Sequence, residues 1–299
     1  MRNKLLNTLL ALLLSTSVFA VDEAYYKEVR RSVNVNSNVR FNIDINFADI
    51  TVNTWEQNSI EIVVKMDVTA RDESRANELF EAFDVNITEG KDVTSLTVNA
   101  GNGGCNNNGK NSENYKVTVE VKMPLSAVLD GRCAFGDMTI SDMKGACELN
   151  IEYGDLRANG LWSYENDIRI AFGSAKINGS NGGEFQNEYG DLDIGLLQGN
   201  SEIHSSFGDL EIDRVTKECK DLEVKVEYAD ADINFAQNAG FRFEANSSYG
   251  DIDLPDSFKK TTVESDYTSK EIKGSFGSGE GKLEIECDFG DVDIDITSN

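Results

Sequence analysis

The stretch NEYGDLDIGLLQG, Asn187 to Gly199, decides the fold, because its centre recurs along the chain. The pattern is aromatic, small residue, Asp, apolar, any, apolar. It reads FADITV at Phe47, FGDMTI at Phe135, YGDLRA at Tyr153, FGSAKI at Phe172 and YGDLDI at Tyr189. It continues as FGDLEI at Phe207, YADADI at Tyr228, YGDIDL at Tyr249, a degenerate FGSGEG at Phe276, and FGDVDI at Phe289. From Phe135 to Tyr249 the motifs are 18, 19, 17, 18, 21 and 21 residues apart. Such a period marks a repeat architecture, in which no unit can bury a core alone and neighbours bury it for one another.

The residues before each motif obey a second rule. In ELNIEYGDL, Leu149, Ile151 and Tyr153 share one parity, whereas Leu156 and Ala158 have the other. The switch recurs at Ile168, Ile170 and Phe172 followed by Ala175 and Ile177. Because side chains alternate along a strand, a parity flip at Gly-Asp predicts a corner that keeps both flanking strands on one core, with glycine supplying the unusual backbone angles. Each unit is then strand, corner, strand and return loop. Asn159-Gly160, Asn178-Gly179 and Asn181-Gly182 would suit the hairpins of an antiparallel meander. A meander, however, gives no reason to hold every corner at one phase. The expected fold is therefore all-β, a parallel β-solenoid with one coil per unit, about nine coils and about 43 Å long at the usual strand spacing.

Three segments divide the chain. Residues 1–20 read as a signal peptide: Arg2 and Lys4, an apolar run from Leu5 to Leu14, then Val18-Phe19-Ala20 at the cleavage position. The run is too short to span a bilayer, and no lipoprotein cysteine follows Ala20. Residues 21–130 form a less regular β-rich region, with strands in SIEIVVKMDV and NYKVTVEVKMP. Between them Ala76, Leu79, Phe80 and Phe83 fall at helical spacing behind a capping Asp72, which predicts one helix over about 72–83. Residues 100–114 read as a polar loop. Residues 131–299 carry the solenoid repeats, continuous with the region before them.

These repeats, with FNIDINFADITVNTWEQNSIEIVVKM and the segment ending at Met123-Pro124, resemble bacterial exported "putative adhesin" families of unknown function. The resemblance implies a single-stranded right-handed parallel β-helix. Its implication for function is an adhesin-like or scaffolding role in the cell envelope. The helix, the Asn/Gly loop and the five cysteines depart from the plainest pattern.

The charge limits partners. The formal charge is −25, and loss of Arg2 and Lys4 with the signal would make it −27. Such a chain does not bind nucleic acid by charge. The expected partner is an envelope or surface protein or a glycan, reached from the periplasm or the surface of a bacterium. Catalysis finds little support. His204 is the sole histidine and has no nucleophile motif near it. The alternatives are a glycan-binding module or polysaccharide lyase, which would need an exposed aromatic or basic cleft, and a periplasmic envelope-sensing partner.

Two polar columns and one aromatic column are the candidate features. Asp137, Asp155, Asp191, Asp209, Asp230, Asp251 and Asp291, with Ser174 and Ser278 in two units, read as structural corner residues whose side chains accept backbone N–H bonds. The residue between the two apolar positions runs Thr139, Arg157, Lys176, Asp193, Glu211, Asp232, Asp253, Glu280 and Asp293. Like charges one rung apart repel by about 0.9 kcal/mol even in water. The acidic members are thus either a solvated face that discourages aggregation or a weak site for a divalent cation or a basic ligand, with Asp193, Glu211, Asp232, Asp253 and Asp293 as the candidate metal ligands. No other cofactor is expected. The aromatics share parity with the apolar residues before them, which predicts an internal stack. Trp55 and Trp162 lie outside that column. Cys133 and Cys287, two residues before an aromatic, read as core positions. Among the five cysteines the pairing is open, and a Cys133–Cys147 bridge would need a departure from the register.

Overall fold

The computed structural model describes residues 23–100 and 115–297, so the segment read as a signal peptide, almost all of the segment read as a polar loop, and Cys105 lie outside the described residues. The chain is a β-solenoid whose rungs turn once at each motif. Strands before the corner form a 13-stranded sheet and strands after it a 12-stranded sheet. We call these the pre-corner and post-corner sheets. One rung runs Cys147–Glu152, corner, Leu156–Ala158; the next runs Asn166–Ala171, corner, Ala175–Ile177. Both pairs are parallel and in register, Ile151 beside Ile170 and Leu156 beside Ala175. Met143, Leu161, Ser180, Leu197 and Val215 bridge successive return segments. The interior is a continuous apolar column that includes Ile151, Leu156, Leu161, Ile170 and Ile177.

The stack starts before residue 131. Arg40–Asn46 and Asp49–Trp55, either side of Phe47, lie beside Val128–Ala134 and Met138–Ile140 as the first rung with a motif corner. The strands Val93–Ala100 and Tyr115–Pro124 flank that rung on its other side. Antiparallel strands then close this end: Ser59–Ala70 on Tyr115–Pro124, Glu23–Asn34 on Ser59–Ala70, and Phe83–Thr88 on Val93–Ala100. A hairpin of Lys259–Ser265 and Ser269–Ser275 closes the far end of the pre-corner sheet. The helix spans Glu73–Glu81. Its Asp72 cap accepts a bond from the Arg75 N–H, and Ala76 and Phe80 are buried. Phe83 opens a strand instead of ending the helix.

The final rungs are not stacked in chain order. Gly281–Asp288 pairs with Asp221–Glu227 on one side and Phe241–Ser248 on the other, so the Phe289 rung sits between those of Tyr228 and Tyr249. The segment FGSGEG forms no rung. Phe276 is buried against Phe235, Phe241, Phe243 and Phe258, and Gly277 and Gly279 take positive φ in the turn that follows. Its Glu280 pairs with Lys220 at 3.4 Å and stands outside the acidic column.

Candidate functional site

The corner geometry overturns the expected internal aromatic stack. Phe47, Phe135, Tyr153, Phe172, Tyr189, Phe207, Tyr228, Tyr249 and Phe289 all have φ between 55° and 62°, and they are the only non-glycine residues with positive φ among those described. A left-handed residue inverts the alternation of side chains, so the ring that parity assigns to the core points to solvent. Each is 46–62% exposed, whereas the residues two before, such as Ile151 and Ile170, are buried. The corner glycines at positions such as 154, 173 and 190 do not supply the positive φ. Their role is close approach: a Cβ at Gly154 would lie 2.0 Å from the carbonyl oxygen of Gly136, and one at Gly173 equally near that of Gly154. Ala48 and Ala229 are the exceptions within the ladder.

The rings stack along the axis in the spatial order 47, 135, 153, 172, 189, 207, 228, 289, 249. Neighbouring centroids are 4.7–5.1 Å apart and neighbouring planes within 5°. The left-handed backbone costs about 1–2 kcal/mol per residue. Ring pairs contribute about 0.5–1.5 kcal/mol each, which offsets much of it. The result is a ridge about 38 Å long at this rung spacing. Ring faces are covered by neighbouring rings and the edges face water. From Phe135 to Tyr249 the exchanged rungs make Phe and Tyr alternate without a break. Hydroxyls thus recur at every second rung, and those of Tyr153, Tyr189, Tyr228 and Tyr249 bond to no described residue.

The corner carboxylates form a ladder of their own. Asp137 Oδ1 accepts the Asp155 N–H at 3.0 Å, Asp155 Oδ1 that of Ser174 at 3.1 Å, and Asp191 Oδ1 that of Asp209 at 3.2 Å. Asp209 serves Asp230 at 3.1 Å, Asp230 serves Asp291 at 2.8 Å, and Asp291 serves Asp251 at 2.7 Å. Ser174 Oγ serves Asp191 at 3.2 Å. Each carboxylate satisfies a backbone donor of the neighbouring rung, a task that serine can share. Beneath the corner, side chains that can donate bond the corner carbonyls: Ser205 Oγ to Gly208 at 2.8 Å, Cys133 Sγ to Gly136 at 3.3 Å and Cys287 Sγ to Gly290 at 3.1 Å.

The second polar column is brought together in the order Asp193, Glu211, Asp232, Asp293, Asp253. Lys176 reaches Asp193 at 3.5 Å; no Lys or Arg among the described residues forms an ion pair with the other four. The Asp213 charge, with burial and neighbouring Asp193 and Asp232, holds Glu211 above its ordinary pKa. Burial and the Asp253 and Asp232 charges raise Asp293. Among the described residues no three His, Cys, Asp or Glu side chains converge in a geometry that could hold a metal ion.

A longer acidic column on the pre-corner sheet escaped the sequence reading. Asp130, Glu148, Asp167, Glu184, Glu202, Glu223, Glu284 and Glu244 stand in unbroken register. The signal was present as an acid five residues before every motif aromatic from Phe135 onward. Here cations intervene: Arg40 binds both oxygens of Glu148 at 2.8 and 2.9 Å and reaches Asp130 at 3.3 Å. Arg169 bridges Asp167 and Glu184, Lys282 meets Glu284 at 2.8 Å, and Lys273 meets Glu244 at 2.9 Å.

The remaining candidates are quiet. His204 is half-buried on the outer face, 3.3 Å from Glu202. Trp55 and Trp162 are half-buried, their indole N–H groups donated to the Ser59 carbonyl and to Asp142. Cys133, Cys147, Cys219 and Cys287 are buried free thiols; Cys133 lies beside Ile151 in register and does not bridge to Cys147. Burial pushes the first three up to about 12 and Cys287 to about 11, so thiolate chemistry is suppressed. A cleft of about 490 Å³ opens between Lys176, Asn178, Asp193, Gly195, Asp213 and Arg214.

Architecture and ridge define a parallel β-solenoid with an external aromatic ladder. The chain belongs to the Toastrack DUF4097 family, whose model matches residues 40–295. Among solved structures it is similar to a "putative adhesin" from Parabacteroides distasonis (12% identity, 91% of this chain and 97% of that one, TM-score 0.41). It is also similar to a "putative adhesin" from Bacteroides fragilis (10%, 91% and 97%, 0.38) and to a "putative lipid binding protein" from Parabacteroides distasonis (12%, 91% and 97%, 0.36). Comparison with curated proteins gave no match. Among the described residues no helix is long and apolar enough to cross a membrane.

Proposed function

We propose that this protein is an exported, non-catalytic element of the bacterial cell envelope, adhesin-like or scaffolding, that engages its partner along the aromatic ridge. The carrying observation is the ridge itself, nine exposed ring edges in one line beside a column of acids with few counter-charges. A soluble chain rarely leaves so long an apolar strip in water unless something covers it. The bare acids beside it keep the strip from pairing with another copy and favour a partner of opposite charge.

One observation favours a second reading, a glycan-directed module or polysaccharide lyase. The cleft that holds Lys176 and Arg214 beside Asp193 and Asp213 offers both cations and carboxylates to a sugar. Along the ridge, by contrast, covered ring faces leave no platform for sugar stacking.

Protease treatment of intact cells, with immunoblotting against a periplasmic control, separates the settings. Cleavage with the control intact supports surface adhesion. Survival until the outer envelope is opened overturns the adhesin reading and directs the search to periplasmic partners by crosslinking. Release of unsaturated sugars from acidic polysaccharides, lost in Lys176→Ala and Arg214→Ala, would replace the non-catalytic reading with the lyase.

A further inference from the structure

The ridge dictates the shape of what it can hold. Its rings are parallel to within 5° and spaced 4.7–5.1 Å, so their outward edges form one narrow, straight strip. A compact ring cannot reach a ring face except at the two ends of the ladder. A regular peptide strand repeats on one side about every 6.7 Å, out of step with the rings. A flat, elongated molecule laid along the axis has no register to keep and touches several ring edges at once. The charge is equally directive. Beside the strip run the exposed corner carboxylates of Asp191, Asp209, Asp230 and Asp291, and beyond them Glu211, Asp232 and Asp293, which have no ion-pair partner among the described residues.

We propose that the ridge is a binding site for elongated, planar, cationic aromatic molecules, held lengthwise across the edges of Tyr153 to Tyr249. This rests on the reading of the ridge as a contact surface and names the chemistry that surface takes. Apolar contact with the strip supplies adhesion, and the flanking acids select for positive charge.

The test is fluorescence titration of thioflavin T, a planar elongated cation, into the monomeric fraction of the mature protein. Emission should rise and saturate at a few dyes per chain. Tyr189→Asn with Phe207→Asn removes two central rings while keeping a side chain that tolerates a left-handed backbone. It should weaken binding about tenfold, whereas Tyr164→Asn and Tyr267→Asn, exposed tyrosines off the ladder, should leave it unchanged. Glu211→Gln with Asp232→Asn and Asp293→Asn should weaken binding and flatten its salt dependence. This variant carries the test if the ring variant fails to fold. The proposal is overturned if the monomer gives no saturable signal, if neither variant weakens it, or if the anionic dye 8-anilinonaphthalene-1-sulfonate binds as well. Ridge variants that lose surface attachment in cells while thioflavin T never binds would sink this ligand class and leave the contact-surface reading standing.

Discussion

Two acidic columns, one along eight rungs and one along five, lie on either side of the same aromatic ridge, and they are built differently. On the pre-corner sheet eight acids stand in register, but Arg40, Arg169, Lys273 and Lys282 are threaded among them. On the post-corner sheet Lys176 serves Asp193, and Glu211, Asp232, Asp293 and Asp253 have no ion-pair partner among the described residues. A stacked parallel sheet forces identical positions to within about 4.8 Å of each other, so any charged position becomes a ladder unless the sequence breaks it. One face breaks it with cations. The other keeps its repulsion, and no contact among the described residues accounts for that. A face left repulsive beside an exposed apolar ridge fits selection for solubility and for partner charge better than selection for stability.

The contrast breaks most sharply at Arg40. Its guanidinium holds Glu148 with two bonds and Asp130 with a third, so Arg40→Met leaves two acids facing each other. All three side chains are about 40% exposed, and solvent discounts the loss to about 1 kcal/mol, read by urea denaturation. A midpoint unchanged from wild type would show that the cations on this face are ornamental. The next effect has opposite signs on the two faces. Asp232→Lys places a cation between Glu211 and Asp293 and should stabilise by about 0.5 kcal/mol. Arg169→Gln removes the cation that bridges Asp167 and Glu184, leaves those two acids facing each other in register, and should destabilise by a similar amount. Equal shifts for both would erase the distinction.

The fold was legible because the corner motif repeats in phase, and one column of Gly-Asp suffices to align the rungs. The ridge was not, because parity arguments assume extended backbone on both sides of every residue, and a Phe in the left-handed region violates that silently. A clue lay in composition. The buried position two before the ring mixes Ile45, Cys133, Ile151, Asn187, Ser205 and Val226, as a core tolerates, whereas the ring position is always Phe or Tyr. An interior column would admit aliphatic residues; a β-branched one fits poorly where φ is positive. The exchange of the last two rungs is invisible to any reading that stacks units in chain order, although the alternation of Phe and Tyr, broken in sequence at Tyr228 and Tyr249, is whole again in space. The acidic ladder of the pre-corner sheet could be read from the sequence, but its neutralisation could not, since Arg40 meets Glu148 from 108 residues away.

The smallest effect sharpens the comparison through pH. Glu211 and Asp293 are held above their ordinary pKa, Glu211 chiefly by Asp213 and Asp293 chiefly by burial. For a carboxylate raised in the folded state the folded chain binds the proton more tightly. The stability it contributes is present below the unfolded value and lost as pH climbs through the folded one. Glu148, held low by its bonds to Arg40, behaves in the opposite sense, and its contribution is lost as pH falls through the depressed folded value. Acidification from neutrality through the ordinary carboxylate range should therefore relieve the post-corner face first and weaken the pre-corner face only afterwards. In thermal melts at low salt, Glu211→Gln with Asp293→Asn should remove the early gain, and Arg40→Met should remove the later loss. Both differences are a fraction of a kcal/mol because the groups are largely exposed, and both should shrink in high salt, where the Debye length falls to about 3 Å at 1 M. If the two variants flatten the same limb of the curve, the columns are electrostatically one surface and the separation of faces fails.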